Sequence, residues 1–169
     1  MKETIGLDIF DQISRADALC LPTNCSIDEQ TGENPMGALA GAFARRWQEL
    51  PSIYGRQLLV IPNVPVILGW TSKSNPELFL SLFSDDEISN WEDPCCLVAF
   101  PTMAEIGKLA SLDLVLRSAK LLVELADECE WKNVFLGSPG TGCGGLSVEQ
   151  VHPVLAEIFD DRFTVMRKD

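Results

Sequence analysis

Positive charge is scarce in this sequence: 13 Lys and Arg stand against 25 Asp and Glu, for a formal net charge of −12. A protein that grips a nucleic-acid backbone needs clustered cations to displace counterions, so that class of function is excluded. The one basic cluster is Arg45-Arg46. Histidine is equally rare, with His152 alone, and the cysteines (Cys20, Cys25, Cys95, Cys96, Cys129, Cys143) contain no C-x-x-C pair. A zinc site would have to recruit scattered ligands, so we expect neither a metal nor a cofactor. No apolar run approaches the ~20 residues that cross a bilayer, and Met1-Lys-Glu-Thr has none of the marks of a secretory leader. The expectation is a cytoplasmic chain with free thiols and no membrane partner.

The acidity also constrains any anionic ligand. A phosphate group approaching this surface is repelled at long range, so a phosphate site must be built from local backbone N–H groups rather than net positive charge.

What the sequence does have is enough apolar content, 46% of 169 residues, for one good core, and we expect a single domain over 1–169. Short apolar runs at 5–10, 16–22, 58–68, 96–101, 134–138 and 163–166 read as strands. Helical spacing marks 106–129, where Leu109, Leu112, Leu116, Ala119, Leu122, Val123 and Ala126 recur every three or four residues. It also marks 35–50, with Met36, Leu39, Ala40, Phe43 and Trp47 on one face, and a third helix opening at Ser147 as N-cap. Alternating strands and helices give an α/β fold with a mixed central sheet covered on both faces. The stretch 71–94 is an irregular acidic insertion (Asp85, Asp86, Glu87, Glu92, Asp93) whose large apolar residues, Leu78 to Phe83 and Trp91, predict one short helix rather than disorder.

Chemistry concentrates in 133–146, an apolar strand followed by Ser138-Pro-Gly-Thr-Gly-Cys-Gly-Gly145 and a capped helix. Glycines let a backbone approach a phosphate, and free N–H groups with the helix dipole attract it. A plain tight turn needs one or two glycines, whereas Gly137, Gly140, Gly142, Gly144 and Gly145 crowd this one. A P-loop is excluded because Gly145 is followed by Leu146 and Ser147 instead of Gly-Lys-Ser/Thr. Gly140, Gly142 and Gly145 match G-x-G-x-x-G, but that fingerprint belongs after the first strand of a βαβ unit, and here a single strand remains beyond it. A second constellation, Asp17-Ala-Leu-Cys-Leu-Pro-Thr-Asn24, ends a strand before a polar loop and the small-residue helix start Met36-Gly-Ala-Leu-Ala-Gly41. The two form candidate walls of one cleft.

Taken in order, these segments resemble the macrodomain family. Residues 17–24 are similar to the macrodomain strand D-A-[IL]-V-N-x-x-N. Leu97-Val-Ala-Phe-Pro-Thr-Met103 resembles a strand of the phage-associated macrodomain-like branch. The segment 137–155 looks like the family's diphosphate loop and the helix after it. The resemblance covers nearly the whole chain, with 71–94 the least familiar part. It implies a three-layer α/β/α fold that binds ADP-ribose or a related nucleotide diphosphate between the 23–41 and 138–145 loops. By position, Ser138, Gly140, Thr141, Gly142, Cys143, Gly144 and Gly145 would hold the diphosphate and distal ribose. Thr23, Asn24 and Gly37 would line the distal ribose, and Asp8 or Asp11 would accept from the adenine amine.

The departures from the family bear on catalysis. Leu21 replaces the first Asn of the strand, and the first loop reads Cys25-Ser-Ile-Asp-Glu-Gln-Thr-Gly-Glu-Asn34 instead of a glycine run. The lysine and aspartate of the ester-hydrolysing branch find no counterpart, because Ala44-Arg45-Arg46 and Gly145-Leu146 stand at those places. The expectation is therefore binding with little hydrolase activity. An ADP-ribosyl hydrolase using Glu33 or Asp28 of the acidic loop is the alternative, and a degenerate macrodomain acting as an interaction surface is a further one. Glu29 shares that loop, which also reads as a solvated acidic surface. Cys143 has no adjacent base in sequence and is expected to pack beneath its loop.

Overall fold

Apolar runs bounded by turn residues form strands here, and amphipathic stretches form helices. A computed structural model, describing residues 1–84 and 91–167, runs β1 (Lys2–Ile5), a 3-10 helix (Phe10–Arg15), β2 (Ala18–Asn24), α1 (Ala38–Arg46), α2 (Leu50–Val60) and β3 (Val66–Thr71). It continues through β4 (Phe79–Ser81), β5 (Cys95–Met103), α3 (Leu112–Glu128), β6 (Val134–Gly137), α4 (Val148–Ile158) and β7 (Phe163–Arg167). The strands make one sheet of seven in the order β1-β7-β6-β2-β5-β3-β4. Neighbours from β1 to β5 in that order are parallel, whereas β3 runs antiparallel to both β5 and β4. The C-terminal ends of β1, β7, β6, β2 and β5 therefore share one edge, where open α/β sheets hold ligands.

The central strands β2 and β5 are buried almost throughout, as parallel strands covered on both faces must be. Their side chains alternate between the faces. Leu19, Leu21, Leu97 and Ala99 pack with Phe43, Leu50, Ile53 and Tyr54 of α1 and α2, while Ala18, Cys20, Cys96, Val98 and Phe100 pack with Val115, Ala119 and Leu122 of α3 and Val151 and Leu155 of α4. This is the three-layer α/β/α arrangement with a mixed central sheet. Each large side chain held in these two clusters contributes roughly 1.5–3 kcal/mol through burial.

Several element boundaries differ from the sequence expectation, each for a local reason. The strand expected at 5–10 ends at Ile5, because Asp8 Oδ1 accepts the Phe10 N–H at 2.9 Å and turns the chain into the 3-10 helix. The helix expected over 35–50 breaks after Arg46. Pro51 in the first turn of a new helix favours that restart, and α2 then extends to Val60, so 58–60 are helical rather than strand. The long helix starts at Leu112 instead of 106, since Ser111 caps it by accepting the Leu114 N–H and Gly107 sits at φ +76°. In the 71–94 stretch Phe79–Ser81 form an edge strand, and among the described residues no helix replaces it. Asp85, Asp86 and Glu87 lie outside the described residues. Among the described residues no helix is long and apolar enough to cross a membrane.

Candidate functional site at the parallel edge

The glycine-rich segment leaves β6 at the parallel edge, and its glycines divide by what each position demands. Gly140 and Gly145 are left-handed, at φ +74° and +75°, where side chains are strained. A Cβ on Gly144 would lie 2.6 Å from the Gly140 carbonyl oxygen and 2.7 Å from Ala110 Cβ. Gly142 is different: it has no left-handed φ, and a Cβ there meets nothing within 4 Å. Gly37, at φ −119°, is equally unconstrained. Protein packing explains the first set of glycines and leaves Gly142 and Gly37 unexplained.

The loop's backbone is only partly used. The Ser138 N–H donates to the Met166 carbonyl, Gly145 to Gly142 and Leu146 to Gly140. The N–H groups of Gly140, Gly142, Cys143 and Gly144 meet no protein acceptor among the described residues. Successive unfilled amides on a glycine-rich turn form a concavity suited to an anion. The helix that follows does not share in it, because α4 satisfies its own start: Ser147 Oγ accepts the Gln150 N–H at 3.2 Å, and Gln150 Oε1 accepts the Ser147 N–H at 2.9 Å. The unfilled helix terminus is that of α1. Gly37 supplies no capping side chain, the first turn carries no acidic residue, and the amides of Ala38, Leu39 and Ala40 meet no acceptor among the described residues. Ala38 is held at φ +48°, an unusual backbone for a β-carbon residue. This terminus abuts the glycine segment, since Leu39 packs directly against Gly137.

The polar residues of the first wall are committed to holding that wall. Thr23 Oγ1 donates to Tyr54 Oη at 3.0 Å and is buried. Asn24 donates to the Pro35 carbonyl and accepts from Ser26 N and Asn34 Nδ2, while Asn34 Nδ2 also reaches the Asn24 and Ser26 carbonyls. Burial pushes the Tyr54 and Cys25 ionisations up, so both stay protonated. Asp17, which opens the β2 motif, accepts the Lys132 and Asn133 N–H groups at 2.7 and 2.8 Å and so joins β2 to the approach of β6.

The remaining candidates sit on exposed backbone. Asp8 forms the turn described above, and Asp11 lies in the first turn of the 3-10 helix. Asp28 Oδ1 accepts from the Thr31 and Gln30 N–H groups, both at 2.9 Å, and these bonds hold its carboxyl below the usual range. The Glu33 carboxylate accepts no hydrogen bond among the described residues. The loop bearing both packs back on α2, with the Asn34 N–H on the Pro51 carbonyl and Gly32 against Gly55. Cys143 is exposed, not packed beneath its loop, because the turn faces it outward past Gly142. Burial pushes Cys95 up to about 12 and holds Cys20 and Cys96 protonated as well. Among the described residues, no cluster of His, Cys, Asp and Glu is placed to hold a metal ion.

Sequence reasoning missed two features. One is 104–111, of which 106–111 were expected to be helical: it is a strap in which the Ile106 N–H donates to Ser26 Oγ at 2.7 Å and the Ala110 N–H to the Gly144 carbonyl at 2.8 Å. Ser111 as a cap was the signal for it. The other is a contact of the buried His152, whose Nε2 lies 2.9 Å from Ser138 Oγ and whose Nδ1 lies 2.8 Å from Glu3 Oε1. Glu3, Ser138 and His152 are scattered in sequence, and no motif joins them.

A mixed seven-stranded sheet between two helical layers is the fold shared with solved macrodomain structures. The chain is similar to the macrodomain of Mycobacterium tuberculosis DarG, with TM-score 0.68 and 20% identity over 98% of this chain and 96% of that one. It is similar to Thermosipho africanus DarTG in complex with ADP-ribose, with TM-score 0.72 and 15% identity over 100% of this chain and 42% of that one. The macrodomain of Thermus aquaticus DarG gives TM-score 0.66 and 15% identity over 99% of both chains. The sequence matches no family model and no curated protein.

Proposed function

We propose that this chain binds ADP-ribose or a related nucleotide diphosphate in the cleft between the 23–41 and 138–145 segments. The observation that carries the reading is the set of unfilled amides at Gly140, Gly142, Cys143 and Gly144, opposite the uncapped start of α1. In a chain of net charge −12, neutral N–H donors are the means of holding a diphosphate. The structure of a neighbour of this fold holds ADP-ribose, which supports the choice of ligand. Ser138 through Gly145 take the diphosphate and distal ribose. Thr23 and Asn24 act by fixing the wall that presents Gly37, and Asp8 or Asp11 receives the adenine amine.

Alkylation tests this with an internal control. Cys143 and Cys129 are both exposed, and Cys143 belongs to the 138–145 segment whereas Cys129 ends α3. Saturating ADP-ribose should slow iodoacetamide modification of Cys143 and leave Cys129 unchanged, with calorimetry reporting the same saturation. Equal rates at both thiols with and without nucleotide sink the proposal. A second reading, ADP-ribosyl hydrolysis by the acidic loop, is favoured by the unengaged Glu33 carboxylate. Asp28, tied to two amides, serves the loop instead. Release of ADP-ribose from a modified substrate, abolished by Glu33→Gln, would establish that reading. The absence of any thermal shift at millimolar ADP-ribose is the result expected of an interaction surface that binds no nucleotide.

A further inference from the structure

We propose that Ser138, His152 and Glu3 form a nucleophile, base and orienting carboxylate that give this molecule an acyl-ester hydrolase activity passing through an acyl-Ser138 intermediate. The hydrogen bonds have a consistent sense. The Glu3 carboxylate can only accept, so His152 Nδ1–H donates to Glu3 Oε1 at 2.8 Å, and in the neutral imidazole Nε2, 2.9 Å from Ser138 Oγ, accepts the Ser138 O–H. That arrangement fixes the imidazole tautomer with its free lone pair toward the serine. Thr141 Oγ1, 2.9 Å from Ser138 Oγ, is placed to donate to the same oxygen. The imidazole is only 6% exposed, so the base is shielded, whereas Ser138 is half-buried and Glu3 exposed.

The structure supplies the other requirement as well. Acyl transfer develops negative charge on the carbonyl oxygen, and fixed N–H donors lower that barrier. Pro139 has no N–H to offer, but the unfilled amide of Gly140 follows it, with those of Gly142 to Gly144 beyond. A string of bonds serving only to tie β1, β6 and α4 together would need His152 satisfied and nothing more. Here its reactive end is a hydroxyl in the same loop as the unfilled amides.

The chemistry balances without any cofactor. Ser138 Oγ adds to the carbonyl carbon of a small carboxylic ester as its proton passes to His152 Nε2. Collapse of the tetrahedral oxyanion breaks the ester C–O bond, and His152 returns the proton to the departing alkoxide. Water then adds to acyl-Ser138, giving its proton to His152. The Oγ–C bond breaks, Ser138 regains a proton, and the carboxylic acid leaves.

Two measurements on the full chain test this, and neither requires a nucleotide, so they fail separately from ADP-ribose calorimetry. A fluorophosphonate probe should form a covalent adduct mapped by mass spectrometry to the Ser138 peptide, and His152→Ala should abolish it. Turnover of p-nitrophenyl acetate should fall to the uncatalysed rate in Ser138→Ala. Glu3→Gln, a change to a positioning residue, should lower kcat by about tenfold or more while KM holds, since it alters the base and not the ester contacts. Glu3→Asp should restore part of the loss. Folded wild-type protein that takes no adduct at Ser138, or that hydrolyses the ester no faster than Ser138→Ala, overturns the proposal.

Discussion

The two walls of the cleft solve opposite problems. In the first, 24–37, side chains are spent on the protein itself: Asn24, Asp28 and Asn34 each bond to neighbouring backbone. In the second, 138–145, four of the eight residues are glycines and the amides of Gly140, Gly142, Cys143 and Gly144 are left unfilled among the described residues. Polar side chains therefore build the wall that must hold its shape without secondary structure, while the other wall offers bare amides. Under the proposed function, this division is how so acidic a chain holds an anion.

The largest effect should come from the second wall. Gly144→Ala places a Cβ 2.6 Å from the Gly140 carbonyl oxygen, a backbone atom that cannot rotate away. The loop must shift, and overpacking of this kind costs about 1–3 kcal/mol. ADP-ribose binding should be lost together with that stability, read by calorimetry and urea unfolding. A variant of unchanged stability and affinity would break the comparison, because it would show the amides to be less fixed than the packing implies.

The first wall should answer more modestly, and in stability before binding. Asn34→Ala removes the donor shared by the Asn24 and Ser26 carbonyls and Asn24 Oδ1. Buried acceptors left unpaired cost about 1–3 kcal/mol in total where water cannot replace the partner. Urea unfolding should show the loss, with nucleotide affinity reduced only as far as α1 is displaced. Affinity abolished at undiminished stability would mean that Asn34 touches the ligand.

Gly142→Ala sharpens the contrast within one loop. Its Cβ meets no protein atom within 4 Å, and its backbone is not left-handed, so stability should hold within about 0.5 kcal/mol. If the space belongs to a ligand, affinity for ADP-ribose should fall about tenfold, equivalent to ~1.4 kcal/mol. A variant that binds as tightly as the parent would place the diphosphate elsewhere.

These residues also mark how far the sequence could be read. Strands buried on both faces, such as β2 and β5, announce themselves as apolar runs, and the glycine density of 137–145 marked a turn whose amides are partly unfilled. Boundaries were less legible, because single turn-forming residues decided them: Asp8 ended a strand, Pro51 opened a helix and Ser111 capped another. Which glycines serve the fold and which leave space could not be read at all. Gly144 and Gly142 are the same residue two places apart, and only the position of Gly140 and Ala110 separates them. The Ser138–His152–Glu3 string was invisible for a related reason: it spans 149 residues and depends on β1 pairing with β7, a contact between the two ends of the chain.

The smallest effect tests whether Asp28 belongs wholly to the first wall. Its carboxylate is held by the Thr31 and Gln30 amides, so its folded ionisation lies below the ordinary aspartate value of 3.8. A depressed carboxylate stabilises the fold above the unfolded value, and that contribution is lost as pH falls through the folded one. The turn at 28–32 should thus stay intact through neutral and mildly acidic pH and loosen only on stronger acidification. In an NMR titration the Gln30 and Thr31 amide protons should move together, with a common midpoint below 3.8, as they lose their charged acceptor. Because the group is fully exposed, screening keeps the effect on global stability small. Asp28→Asn, which retains an acceptor oxygen but no charge, should abolish the titration and leave the fold and nucleotide binding in place. A midpoint above 3.8 would instead mark an Asp28 released from its turn and free to act on a bound ligand, returning the acidic loop to contention as the source of a catalytic base.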